Sequence, residues 1–244
     1  MANPHNLQTL RATGNCPSSD LREADLHGSL LKGSKLTASD LRKANLSQAD
    51  LVEASLSAAN LGEANLSEAD LSGAYLQKAD LEAALLDGAT LKNAVLYGAN
   101  LKKASMNETD LEGAKMEGAN LESAMLQEAQ LDGATLHQAN LNGANLNGAD
   151  LSDAQLTGAT LQEAQLEGAD LTHANFSGAN LKGANLENAK VEGANFTGAI
   201  LEGAKLLGTG LELAKQAGAT TAKAAGTVAQ AGLDLFSGKR TSSR

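Results

Sequence analysis

The sequence predicts an all-β solenoid, a four-sided β-helix of stacked coils. Three observations predict it. A large apolar residue, called the centre here, recurs at every fifth position from Cys16 to Leu206 without a slip, giving 39 units. Only Cys16, Met106, Met116, Phe176, Val191 and Phe196 among these centres are not Leu. A small residue, almost always Ala, sits two positions before each centre. The third observation is compositional: 42% of the 244 residues are hydrophobic but only 2% are aromatic and none is Trp, which suits a narrow, uniform interior rather than an ordinary globular core.

A strand alternates its faces with period 2, and a helix would carry a five-residue repeat around its cylinder. A chain that turns a corner in every unit keeps its Leu and Ala on one side. Two residues in five then face inward and three face water. Such a coil must stack on itself to satisfy its backbone groups. The number of sides follows from the Asp residues that precede centres. Asp20, Asp40, Asp50, Asp70, Asp80, Asp110, Asp150 and Asp170 lie on multiples of ten, with Asp25 the exception. That alternation implies an even number of sides, and two sides cannot enclose a core. Four sides give 20-residue coils, about ten of them, in a rod on the order of 45–50 Å long at a strand spacing of about 4.8 Å.

The units written "GADLS" and "GANLN" resemble the pentapeptide-repeat family, and the resemblance covers roughly residues 14 to 211. It implies a right-handed quadrilateral β-helix with Leu and Ala inside. Some members of that family are DNA mimics whose acidic rods occupy type II topoisomerases (gyrase among them) and confer quinolone resistance. Others dimerise through their C-terminal coils, so a homodimer is an open expectation. Many members begin with C-P-x-C; here Ser19 replaces the second Cys. Cys16 is therefore expected as a buried apolar residue and not as a metal ligand or disulfide partner.

Taken in chain order, residues 1–13 are expected to form an N-terminal cap, because solenoids need covered ends. Asn3 suits the cap position, Pro4 the first helical position and Gly14 the helix end, with Leu7 and Leu10 facing the first coil. Residues 14–211 form the β-helix. Within it, Gly stands two positions after the centre in 13 of the 20 units from Gly113 to Gly208, but in only 5 of the 18 from Glu23 to Glu108. Gly permits positive φ, so the second half is expected to have more type II turns and the first half looser corners. Residues 212–244 read as an Ala-rich helical cap with a disordered basic tail, opened by the Thr209/Glu212 capping pattern and anchored by Phe236.

The net charge is −10, which disfavours nucleic acid as a direct partner. One cysteine excludes an internal disulfide, no apolar run spans a membrane and no secretory leader is evident, so a cytoplasmic protein is expected. Distributed over the four sides, charge is uneven. The side centred on Leu36, Leu56 and Leu76 sums to +2, the Leu21 side to −3, the Leu26 side to −6 and the Leu31 side to −7. Two neighbouring sides thus make an acidic half.

Candidate partner-binding residues lie on two sides. Asp50, Asp70, Asp110, Asp150 and Asp170 fall in one column of the Leu31 side, where close carboxylates should raise the pKa of one member of each pair or attract cations. Tyr75, Val95 and Tyr97 make a small apolar patch on the near-neutral side. No catalytic, cofactor or metal constellation is expected. His137 should stack over Glu117 and His173 over Asp153, but no nucleophile accompanies either pair, and the glycines follow the corner period rather than a phosphate loop. The expected function is a non-enzymatic, rigid scaffold that binds another protein, with the topoisomerase mimic as the alternative.

Overall fold

In the computed structural model, residues 2–211 are described. The chain opens with one helix, α1 (Pro4–Thr13). The Asn3 side chain accepts the His5 N–H, Pro4 begins the helix, and Gly14 ends it in the left-handed conformation with φ 64°. Leu10 is buried against the first coil, and Leu7 packs on the core's edge. Asn3 N–H and the Asn6 amide both donate to the Asp20 carbonyl, and the Arg11 guanidinium donates to that of Asp25. The helix is thereby fastened across the open end of the bore. Cys16 is buried and free, its thiol donating to the Asn6 carbonyl at 3.3 Å.

From residue 15 the chain is a ladder of parallel bridges, each joining a residue to the one 20 positions on, from Asn15↔Lys35 to Asn185↔Lys205. Four five-residue units therefore make one turn of the coil. The run Asp40↔Asn60↔Asp80 places Leu41, Leu61 and Leu81 one above another. Each side is a single bridge residue between two turns. Leu and Ala columns fill the bore, nearly all fully buried. Phe176 and Phe196, one coil apart, stack with ring centroids 5.1 Å apart and planes 7° from parallel. At the far end Val191, Ala194 and Leu201 are only partly buried, since no described coil covers them. The Ala-rich helix expected over 212–244 lies outside the described residues.

Backbone accounting explains the sequence motif. Around Leu21, the Leu21 and Glu23 N–H groups donate to the carbonyls of Asp40 and Arg42 in the next coil. Ala24 N–H closes the turn on the Leu21 carbonyl, and the residue before each centre donates to the coil beneath, as Asp40 does to Ser19. One N–H per unit, on the residue after the centre, has no backbone partner. Of the 21 Asp or Asn residues that stand immediately before a centre, 20 accept that N–H through Oδ1. The remaining one, Asn15, faces Pro17, which has no N–H to give. This side-chain turn is why Asp and Asn are favoured there. Asn can also donate to the coil beneath, and on the Leu21 side Thr160, Asn140, Asn120 and Asn100 form a one-way ladder that ends on the Asp80 carboxylate.

The corners correct the expectation drawn from glycine. The residue two after the centre has positive φ in all 39 units from Ser18 to Gly208, 21 of them non-glycine. The residue before it never does, and the turn is closed by an i to i+3 hydrogen bond, so both halves use type II geometry. From Ser18 to Asn188 the same N–H that donates to the next coil fixes this conformation, whether or not the side chain favours it.

Candidate interaction surface

The aspartate column exists as spaced. Asp50 lies beside Asp70 and Asp150 beside Asp170, while Thr90 and Gln130 flank Asp110. Each of the five is occupied with its own turn: Oδ1 accepts the N–H of Val52, Ser72, Glu112, Ser152 and Thr172 in order. The outer oxygens differ. Lys92 reaches Asp110 Oδ2 at 3.1 Å and Glu112 at 2.7 Å, and Lys190 reaches Asp170 Oδ2 at 2.9 Å. Asp50, Asp70 and Asp150 form no ion pair among the described residues.

Charge repulsion does not govern Asp170. Burial pushes its carboxyl up, but hydrogen bonds from Thr172 and Lys190 outweigh burial and hold its pKa below the usual carboxylate value. Lys190 is shifted up in return, chiefly by its hydrogen bond to Asp170. A raised carboxyl does occur on this side, at Asp132, where burial acts together with Glu112, Asp150 and Asp110. Of the two expected responses, the Asp150/Asp170 pair shows the attracted cation, Lys190, and the raised carboxyl falls at Asp132, outside the column.

An ion-pair ladder on the Leu21 side escaped the sequence reading. Arg22 grips Asp20 with two hydrogen bonds (2.9 and 2.7 Å) and approaches Asp40 at 3.6 Å, while Arg42 repeats the grip on Asp40 at 2.8 and 2.6 Å. Those hydrogen bonds depress both aspartates and raise both arginines. The signal was available: D-L-R occurs twice, 20 residues apart. Exposed pairs of this kind contribute little stability each.

On the near-neutral side Tyr75 pairs with Val95, and Tyr97 lies two residues further along the same turn. Tyr75 is 47% and Tyr97 40% exposed, with Val95 half-buried. Lys35, Lys78 and Lys115 share this side and form no ion pair among the described residues. Other exposed apolar residues were not singled out from sequence: Leu30 below Asp50, and Leu85 and Met125 in one column on the opposite side. They occupy the position otherwise given to Asp or Asn, which was the available signal.

The histidine pairs do not form ion pairs. Glu117 Oε2 is buried without a hydrogen-bond partner, and the His173 ring lies over Gly193. Among the described residues no group of three His, Cys, Asp or Glu side chains could hold a metal ion. No described helix is long and apolar enough to cross a membrane.

A coil of this register, with this motif at each corner, is what a pentapeptide repeat is. The family model for pentapeptide repeats matches in eight copies, over residues 19–57, 49–88, 74–113, 114–153, 149–188 and 179–215. The chain belongs to the pentapeptide-repeat family, whose fold is the right-handed quadrilateral β-helix. Among solved structures it is similar to HetL, a pentapeptide-repeat protein involved in heterocyst differentiation regulation in the cyanobacterium Nostoc sp. strain PCC 7120. The two are 36% identical, covering 84% of this chain and 95% of that one, with a TM-score of 0.44. QnrB1, a plasmid-mediated fluoroquinolone resistance protein, is 21% identical over 66% of this chain and 91% of its own, at a TM-score of 0.53, which is a likeness of fold. A thylakoid-lumen pentapeptide-repeat protein of Arabidopsis thaliana is 40% identical over 38% of this chain and 66% of that one, with a TM-score of 0.38. Among curated proteins none matches the sequence.

Proposed function

We propose that the chain is a non-enzymatic rigid scaffold that binds another protein through its outer skin. In this reading residues 14–211 form a rod of about ten coils and residues 1–13 its N-terminal cap. The observation that carries the reading is one-sided charge on a surface with no other chemistry. The Leu26 and Leu31 sides sum to −6 and −7, while the Leu36 and Leu21 sides opposite them sum to +2 and −3. Four of the five backbone donors in each stacked unit are consumed within the rod, so recognition falls chiefly to side chains. Asp50, Asp70 and Asp150, the column members without a lysine, are the residues proposed to meet a basic partner. Tyr75, Val95 and Tyr97 are the proposed apolar contact on the other side.

The test is cross-linking with mass-spectrometric identification in the native cytoplasm, comparing the natural chain with Asp50→Asn, Asp70→Asn, Asp150→Asn combined. Asn preserves the N–H acceptor at each corner, so the rod stays intact while charge is removed. A partner held by the natural chain and released by the variant supports the reading. Identical partner sets would reduce the acidic side to a solubilising role. The adjacency of the two acidic sides also favours a second reading, mimicry of DNA toward a type II topoisomerase. Gyrase supercoiling assayed with micromolar purified chain decides it, and unchanged supercoiling removes it.

A further inference from the structure

Four corners place Asp or Asn directly before Gly: Asp87-Gly88, Asp132-Gly133, Asn142-Gly143 and Asn147-Gly148. Such dipeptides cyclise because Gly offers no Cβ to obstruct attack. In an unfolded chain the two Asn-Gly sites react first, since ammonia leaves more readily than water. The fold reorders them.

The reason is a rule in the hydrogen bonds. The first residue after a centre presents an N–H that the Asp or Asn two positions earlier normally accepts. Where that earlier residue is neither, and the residue directly beneath is itself Asp or Asn, the N–H turns to that side chain in the coil beneath. Asn107, Gln127, Gln162 and Glu167 follow Ser105, Met125, Thr160 and Gln165, and they donate instead to Asp87, Asn107, Asn142 and Asn147 respectively, at 2.8–3.2 Å. Asp87 receives further bonds from the Ser105 hydroxyl and the Asn107 amide. Above Asp132 the situation is opposite. Ser152 follows Asp150 and gives its N–H to Asp150 Oδ1 at 2.9 Å. The Asp132 carboxyl receives no hydrogen bond from the coil above and forms no ion pair among the described residues; its own backbone N–H is the one donor beside it.

All four glycine nitrogens donate to the coil above, at 2.8–2.9 Å, so the nucleophile is equally engaged in each and the side-chain carbonyl carbon is what differs. We propose that Asp132-Gly133 is the site at which the folded chain converts aspartate to isoaspartate, while Asn142-Gly143 and Asn147-Gly148 are held in reserve by the coil above them. The Gly133 nitrogen attacks Asp132 Cγ and loses its proton, the Cγ–OH bond breaks, and water leaves a five-membered succinimide. Water then adds back. Opening at Cγ restores aspartate; opening at the main-chain carbonyl carbon leaves isoaspartate, with no net change in atoms or electrons. Burial and the surrounding Glu112, Asp150 and Asp110 favour the neutral carboxyl, the form from which water departs. The product lengthens the main chain by one methylene inside a strict 20-residue register.

The experiment ages the full chain at neutral pH, folded and in guanidinium chloride, and maps isoaspartate by fragmentation mass spectrometry and by enzymatic carboxyl methylation. Unfolded, Asn142 and Asn147 should lead. Folded, Asp132 should lead, each held asparagine being slowed relative to it by roughly fivefold or more, the equivalent of one hydrogen bond of about 1 kcal/mol. Thr160→Asn supplies the decisive control. It restores an acceptor two residues before Gln162, keeps a donor for Asn140, and should release Asn142 while Asn147 in the same molecule stays protected. Circular dichroism confirms that the variant is folded. Either asparagine leading in the folded natural chain, or an unchanged ratio of Asn142 to Asn147 reaction in the folded variant, overturns the proposal.

Discussion

Residues 18–108 and residues 113–208 turn the same corner with different amino acids. In the first stretch 14 of 19 corner residues with positive φ are not glycine, and in the second only 7 of 20. The non-glycine corners cluster at φ 52–60°, whereas the glycines open as far as 82° at Gly208. Left-handed conformation costs an L-residue about 1–2 kcal/mol, yet the first half adopts it as regularly as the second. From Ser18 to Asn188 the ladder sets the geometry, because the corner N–H has a carbonyl waiting in the next coil; the four corners beyond, from Gly193 to Gly208, are all glycine and open to φ 70–82°. Glycine changes what the corner costs, not where it goes.

The bore should outweigh the corners. Leu101→Ala, in the fully buried middle of the rod, is expected to cost about 2–5 kcal/mol in denaturant unfolding. Leu201→Ala, at the partly open end, should cost less. Equal costs would mean that the two ends unfold before the middle is tested. Glycine corners come next. A Cβ on Gly193 would run into the His173 ring at Nδ1, while one on Gly168 would meet nothing within 4 Å, at nearly the same φ. Gly168→Ala should therefore show the conformational term alone, about 1 kcal/mol, and Gly193→Ala should exceed it. In a His173→Ala background the excess should vanish; if it persists, the corner itself rather than the ring resists the side chain.

The period, the Leu and Ala bore and the aspartate column were legible in the sequence, because each depends on spacing alone. Knowing the 20-residue turn also made some missed contacts legible. Lys190 stands 20 residues after Asp170, Glu112 20 after Lys92, and Asp40-Leu41-Arg42 20 after Asp20-Leu21-Arg22. The corners were misread because glycine frequency reports permission, and permission is not what fixes φ here. The role of Asp and Asn before each centre was hidden for another reason: the motif shows which residue recurs, but only hydrogen-bond direction shows which N–H needed it. Asp132 was the least legible. Its isolation depends on Asp150 in the next coil, a relation between two positions with no pattern of its own.

Side-chain acceptors rank below the glycine corners. Asn140 takes the Asn142 N–H at 3.2 Å and the Thr160 hydroxyl at 3.1 Å, and donates to Asn120 at 3.0 Å. Asn140→Ala strands that N–H at a partly buried site and should cost about 1 kcal/mol. Asn60→Ala, where only the Gly62 N–H is served, should cost less. A reversed order would mean that the ladder of asparagines contributes nothing beyond each turn.

The smallest effect is the one most specific to the comparison. Ala83 holds φ 55° in the glycine-poor half and donates its N–H to the Lys102 carbonyl at 2.9 Å. Replacing it with glycine relieves about 1 kcal/mol or more of left-handed strain and returns roughly 0.5–1 kcal/mol through the greater freedom of the unfolded chain. The two nearly cancel, so Ala83→Gly should stabilise the rod by a few tenths of a kcal/mol at most. Ala84→Gly, one position on and inside the bore at 0% exposure, has no strain to relieve and loses packing, so it should destabilise. Opposite signs at adjacent alanines are the signature of a corner held by its neighbours in the stack. A loss at both positions would show that the corner Cβ packs against the coils on either side, and that the first half gains from its side chains what it gives up in φ.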